Sequence, residues 1–272
     1  MSGVTLLLIH SLKRVRTLVL SMGILLAGFQ LILIVVARSI QGSGGFEELT
    51  TLLPTWVREM LGPSIAGFMS FAGIVSLGYF HLSVIGSLVA LSILVSTMPA
   101  SEIETGFIDL ILSRPLARHW IITRTIIVIT LAIILVLSLM MTGTWVGLAT
   151  LAPKIAGKPS AKLILSLATN LGFLMLCWSG VAMAIGSASR RRSIAGGIAG
   201  LLALATFLLD YVGLLWKPAE SSAWLSPFRY YRPFELVMGN PLPAKNLLVL
   251  GGIALTGFIS AYILFSRRDI SH

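Results

Sequence analysis

Three carboxylates, Glu102, Glu104 and Asp109, crowd into one stretch of a 272-residue chain that holds only ten acidic residues. The first question is whether they do chemistry. The four histidines, His10, His81, His119 and His272, are scattered and form no H-E-x-x-H pattern, so a metal site has no support. Cys177 is the only cysteine, which rules out a disulfide within the chain. No paired Asp and no placed Ser and His suggest hydrolysis. The nearest string to a phosphate loop is Gly157-Lys158-Pro159, but a Walker motif needs Gly at 152 and Ser or Thr at 159, where Ala152 and Pro159 stand. Asp210 is the only carboxylate inside a long apolar run; it lies near the run's end beside Tyr211, where snorkelling to headgroups is the cheaper explanation. His81, inside another run, reads as a satisfied neutral imidazole. The expectation is a chain that is not an enzyme and holds no cofactor of its own.

The carboxylates make better sense as parts of a helix over 102–112. Ser101 and Glu104 match an S-x-x-E capping box, and Glu102 and Glu104 put negative charge where the helix dipole favours it. Pro115 holds Arg114 extended and stops the helix. Between these limits Ile103, Phe107, Leu110 and Ile111 share a face, while Glu102, Asp109 and Ser113 point elsewhere. The apolar face must be buried. An anionic leaflet would repel three carboxylates, so a groove in a protein partner fits better than the membrane surface.

The elements that must position this helix follow from composition. Apolar residues make up 56% of the chain and charged residues 11%, against about 25% charged in an average soluble domain. The net charge of +10 comes in short clusters between long uncharged runs, which excludes a nucleic-acid-binding stripe. The uncharged runs cover 17–37, 60–101, 125–153, 163–189 and 246–266, and 193–216 carries only Asp210. About 20 residues suffice for a helix to cross a hydrocarbon core of about 30 Å. Alternation with period two is absent, so a barrel is excluded and the fold class is all-α. Six spans are expected, at about 17–37, 65–97, 122–150, 163–188, 194–215 and 247–266, in a single transmembrane domain. The run at 60–101 could be a hairpin, but Gly78, Tyr79, Phe80 and His81 lack the Asn, Asp or Pro of a turn, so it reads as one long span. Arg190, Arg191 and Arg192 fill most of a very short loop, which sets that loop and both termini in the cytoplasm.

Residues 1–16 space Val4, Leu8, Leu12 and Val15 as an interfacial helix would. The first run is longer than the 7 to 15 apolar residues of a cleaved signal, so it reads as an anchor. Residues 46–61 suggest a short outer helix. The loop 216–246 holds Trp216, Trp224, Phe228, Tyr230, Tyr231 and Phe234; it reads first as an aromatic belt and second as a lid over an exit path. Gly143 with Gly147, and Gly196 with Gly200, are spaced for close helix contact.

The order Glu104, Gly106, Asp109, Leu110, Leu112, Ser113, Pro115 and Arg118, followed by Arg124 entering the next span, resembles the cytoplasmic signature of type-2 ABC transporter permeases. The layout resembles that family too: six spans, an N-terminal elbow, a coupling helix between the second and third spans and an external segment before the sixth. Two positions depart from the pattern, Arg124 where Lys is common and Phe107 where Thr is frequent. The resemblance implies an exporter subunit in a bacterial or archaeal plasma membrane. It implies that Glu102, Ile103, Glu104, Gly106, Phe107, Asp109, Leu110, Ser113, Arg114, Pro115 and Arg118 dock a separate ATPase subunit, which binds ATP and Mg. It further implies a second permease copy, identical or related, and a path lined by Ser76, Ser83, Ser87 and Gly200. The alternative, an ATP-independent secondary transporter, would call for more ionisable groups near the midplane than this chain supplies.

Overall fold

A computed structural model describes residues 3–42, 70–106, 119–153 and 157–267. All regular structure among them is helical: α1 Gly3–Gly42, α2 Phe71–Phe80, α3 Leu82–Ser96, α4 Met98–Glu104, α5 His119–Thr150, α6 Ala161–Ala188, α7 Arg192–Leu215, α8 Lys217–Glu220, α9 Pro233–Val237 and α10 Ala244–Ser266. Two 3-10 turns, Ala223–Leu225 and Pro227–Tyr230, separate α8 from α9. Six stretches are long and apolar enough to cross a membrane: Leu7–Gln41, Phe71–Ser96, His119–Thr150, Ala161–Ala188, Arg192–Leu215 and Ala244–Ser266. The chain is therefore all-α and of multi-pass membrane type, as its uncharged runs require.

The amino-terminal segment differs from expectation. Residues 3–16 form no separate elbow but continue into the first span as one helix of 40 residues, about 60 Å long. No proline interrupts this stretch, and Lys13, Arg14 and Arg16 are good helix formers, so nothing in it stops the helix. The outer helix expected at 46–61 lies outside the described residues.

α6 is the hub. It is the most buried span and packs on α10, α3, α5 and α7, whereas α7 is the least buried. Close approach rests on glycine. A Cβ on Gly180 would strike the Ala254 backbone of α10, and one on Gly257 would strike the Gly180 backbone in return. Gly143 and Gly147 bring α5 onto α1 in the same way, against Ala27 and Ile34. Gly196 and Gly200, expected to pack likewise, face open space.

The second span is neither a hairpin nor an unbroken rod. It leaves helical geometry at His81 (φ −60°, ψ 135°) and resumes at Leu82. In a continuous helix the Tyr79 carbonyl would accept from the Ser83 N–H. Here the Ser83 N–H donates to His81 Nδ1 at 3.3 Å, and the Tyr79 carbonyl accepts instead from the Tyr231 hydroxyl at 2.9 Å. The Tyr79 hydroxyl shares a hydrogen bond with Thr144 Oγ1 of α5 at 2.9 Å. Tyr231 belongs to the segment between α7 and α10 and is buried, which pushes its phenol well above the ordinary range. The same segment sets Phe228 against Trp178 of α6 and Phe207 of α7, and Phe234 against Phe80. Trp216 and Trp224 are exposed, as in an interfacial belt. One aromatic segment thus serves both as rim and as packed cap.

Two outcomes are expected. Gly180→Leu should scatter the detergent-solubilised protein on size-exclusion chromatography, because α6 and α10 could no longer meet, while Gly200→Leu should elute as wild type. Tyr231→Phe should lower stability by about 1 kcal/mol, read as a reduced melting temperature, because the Tyr79 carbonyl loses its donor.

Candidate functional site

The carboxylate stretch begins earlier than its capping pattern suggests. α4 starts at Met98, with Pro99 in its first turn, and ends at Glu104; Gly106 then adopts φ +66°, a left-handed geometry suited to a residue without Cβ. Ser101 and Glu104 therefore sit inside the helix, and no capping box forms. Starting the helix four residues earlier also changes what Glu102 does.

Glu102 was expected on the polar outer side. It is 2% exposed, and both of its carboxylate oxygens lie 2.7 Å from NH2 of Arg124, itself 3% exposed. Arg124 stands in the second turn of α5, so this ion pair ties the end of the second span to the start of the third. Ser101 Oγ accepts from the Arg14 guanidinium of α1 at 2.9 Å. Glu104 is exposed, and its Oε2 accepts from the Arg192 backbone N–H at the start of α7, at 2.9 Å. The Arg192 guanidinium donates to the Leu94 carbonyl of α3, also at 2.9 Å. Ile103 is partly buried against the core. Seven residues of α4 thus join α1, α5 and α7 at one end of the bundle, the basic end. Cysteine, histidine and carboxylate side chains form no group of three that could hold a metal among the described residues.

This arrangement locks the segment after the second span to the start of the third. A buried carboxylate and guanidinium compensate each other, and losing one leaves the other charge stranded. Only NH2 of Arg124 reaches the carboxylate, and its Nε has no hydrogen-bond partner among the described residues, so the guanidinium fork is not used to the full.

No protein-family model, curated protein or solved structure matches this chain. The site is therefore read from its own geometry.

Phe107, Asp109, Leu110, Ser113, Arg114, Pro115 and Arg118 lie outside the described residues. Of the four candidate path residues, Ser76 is buried, with its hydroxyl donating to the Ala72 carbonyl at 2.7 Å; Ser83 is exposed; Ser87 donates to the Val84 carbonyl at 2.9 Å. Gly200 lines an apolar groove of about 380 Å³ between α3 and α7, walled by Leu82, Gly86, Ile93, Phe207 and Phe228. Asp210, in the second half of α7, lies in the field of Arg232 and Arg229 of the segment between α7 and α10, a partnership that its isolation in sequence did not signal.

Glu102→Ala should destabilise the protein by about 3–5 kcal/mol, because it strands the Arg124 charge. Arg124→Lys should be the mildest change at its position, since one nitrogen makes both contacts. Replacing both partners by Met should recover much of the loss. Melting temperatures of the three variants and the wild type in one detergent would check this; a Glu102→Ala protein as stable as wild type would remove the pair from its structural role.

Proposed function

We propose that this chain is the permease subunit of an ATP-driven transporter of the type-2 ABC kind, worked by a separate nucleotide-binding subunit. The observation that carries the reading is the junction around α4. The acidic segment after the second span is tied to the third span through a buried ion pair, so a push delivered beyond Gly106 would reach both spans together. The lack of a phosphate loop in the chain agrees with an energy source held by a partner.

On this reading residues 102–112 are the docking element. Glu102 serves it from within, as the anchor, and Phe107 and Leu110 supply the apolar face that enters a groove of the ATPase. ATP and Mg bind in that partner. Closure of two nucleotide-binding subunits displaces the docked segments, and the displacement shifts the population between inward-open and outward-open arrangements of two permease copies. A packed segment moves as a body, which is why the buried pair matters: it keeps α4 from folding away under load. The termini and the basic end face the cytoplasm, in agreement with the density of arginine there.

Replacing both Phe107 and Leu110 with Asp should abolish co-purification with the nucleotide-binding subunit while leaving insertion and elution unchanged. Undiminished association would reject the docking assignment. Uphill solute movement by the isolated chain in vesicles, without any ATPase, would reject the permease reading altogether and favour a self-sufficient carrier.

A further inference from the structure

The groove between α3 and α7 has a second property that its apolar walls do not announce. Along α3 it runs from Leu82 to Ile93, eleven residues and so about 16 Å. That is about half of a 30 Å hydrocarbon core, the depth of a single leaflet. At the far end it is lined by Phe228, held against Trp178 and Phe207. At the near end Ile93 adjoins Leu94, whose carbonyl binds the Arg192 guanidinium. Arg190 and Arg191, next in the chain, are exposed, and Arg14 stands close enough to Arg192 to repel it. The mouth of a leaflet-deep apolar slot therefore gathers four arginines against one carboxylate, Glu104, and is net positive. Gly86 and Gly200 widen it, since a Cβ on either would meet nothing.

We propose that this groove binds one anionic phospholipid, with an acyl chain between α3 and α7 and its phosphate held by Arg190 and Arg191. Charge complementarity selects the headgroup, and the length of the groove matches a tail that spans one leaflet. Basic pockets between spans are where anionic headgroups bind, and each arginine near the surface adds to the attraction. The site needs only this chain and is independent of what powers transport.

The test uses the full-length protein in a nonionic detergent, with bound lipid counted by native mass spectrometry. Dioleoyl phosphatidylglycerol should remain at one molecule per chain and be preferred over dioleoyl phosphatidylcholine. In the double variant Arg190→Gln/Arg191→Gln that preference should fall about thirtyfold. Gly200→Phe fills open space and should reduce retention of both lipids while the protein elutes as wild type. Millimolar inorganic phosphate should not displace the lipid. Equal retention of the two lipids by the wild type, or a preference that survives loss of both arginines, would overturn the headgroup assignment. Retention unaffected by Gly200→Phe would overturn the groove, and displacement by phosphate would make this a free-anion site instead.

Discussion

A peptide group inside hydrocarbon has no water to turn to, and most of this architecture follows from that constraint. It dictates helices for all six long apolar stretches. It also explains the one place where a span breaks. Once the chain turns at His81, the Tyr79 carbonyl loses its partner within the helix, and a residue 152 positions later, Tyr231, reaches in to replace it. The segment between α7 and α10 is thereby fixed to the second span by a backbone requirement rather than by a fortuitous contact. Hydroxyls obey the same rule. Ser92, Ser96, Thr125 and Ser179 all donate to carbonyls four residues earlier in their own helices. Apolar packing and the glycines of α5, α6 and α10 carry much of the contact between helices, joined by side-chain bonds such as Tyr79 to Thr144 and Thr123 to Tyr262.

Charge follows a different logic at each end of the molecule. Arg229 and Glu220 in the segment between α7 and α10 lie 3.6 Å apart with Glu220 well exposed, a pair that water screens and that contributes little. Glu102 and Arg124 are both buried at 2.7 Å. Such a pair is a poor source of stability, since two charges have been taken out of water, but it penalises every arrangement in which α4 and α5 slide past each other. The cost of a misplaced register, rather than the strength of the bond, makes the junction suitable for transmitting force.

The number and class of the spans were legible because membrane thickness imposes a length on any sequence that crosses it. Local geometry was less so. The break at His81 carries no Pro, Asn or Asp, and the contact that stabilises it comes from far along the chain, where no local pattern can register it. The S-x-x-E pattern at Ser101 misplaced the start of α4 by four residues because Pro99 is equally at home in a first turn, and it put Glu102 at an exposed helix end when the residue is buried within the helix. Glycine spacing misled in the same way. Gly196 and Gly200 have the four-residue repeat of a packing motif but meet nothing, whereas Gly180 and Gly257 lack a glycine four residues away and bring two helix backbones into direct contact. Spacing reports which glycines share a face; which face is covered depends on the neighbouring helices. The elbow failed for a related reason: amphipathic spacing at 1–16 says how a helix would lie on a surface, not that it must part from the span that follows.

The junction and the groove meet at Arg192. Its backbone N–H holds Glu104 of α4 while its guanidinium holds the Leu94 carbonyl of α3, beside the groove's basic mouth. α3 carries one wall of the groove and leads directly into α4; α7 carries the other wall and begins at Arg192. Any displacement of α4 relative to α7 must stretch one or both of these bonds and change the separation of the two walls. Conversely, whatever fills the groove resists that displacement by holding its two walls apart. On the proposed reading, occupancy of the slot and movement of the acidic segment are linked at Arg192, whether the load arrives from the lipid side or from beyond Gly106.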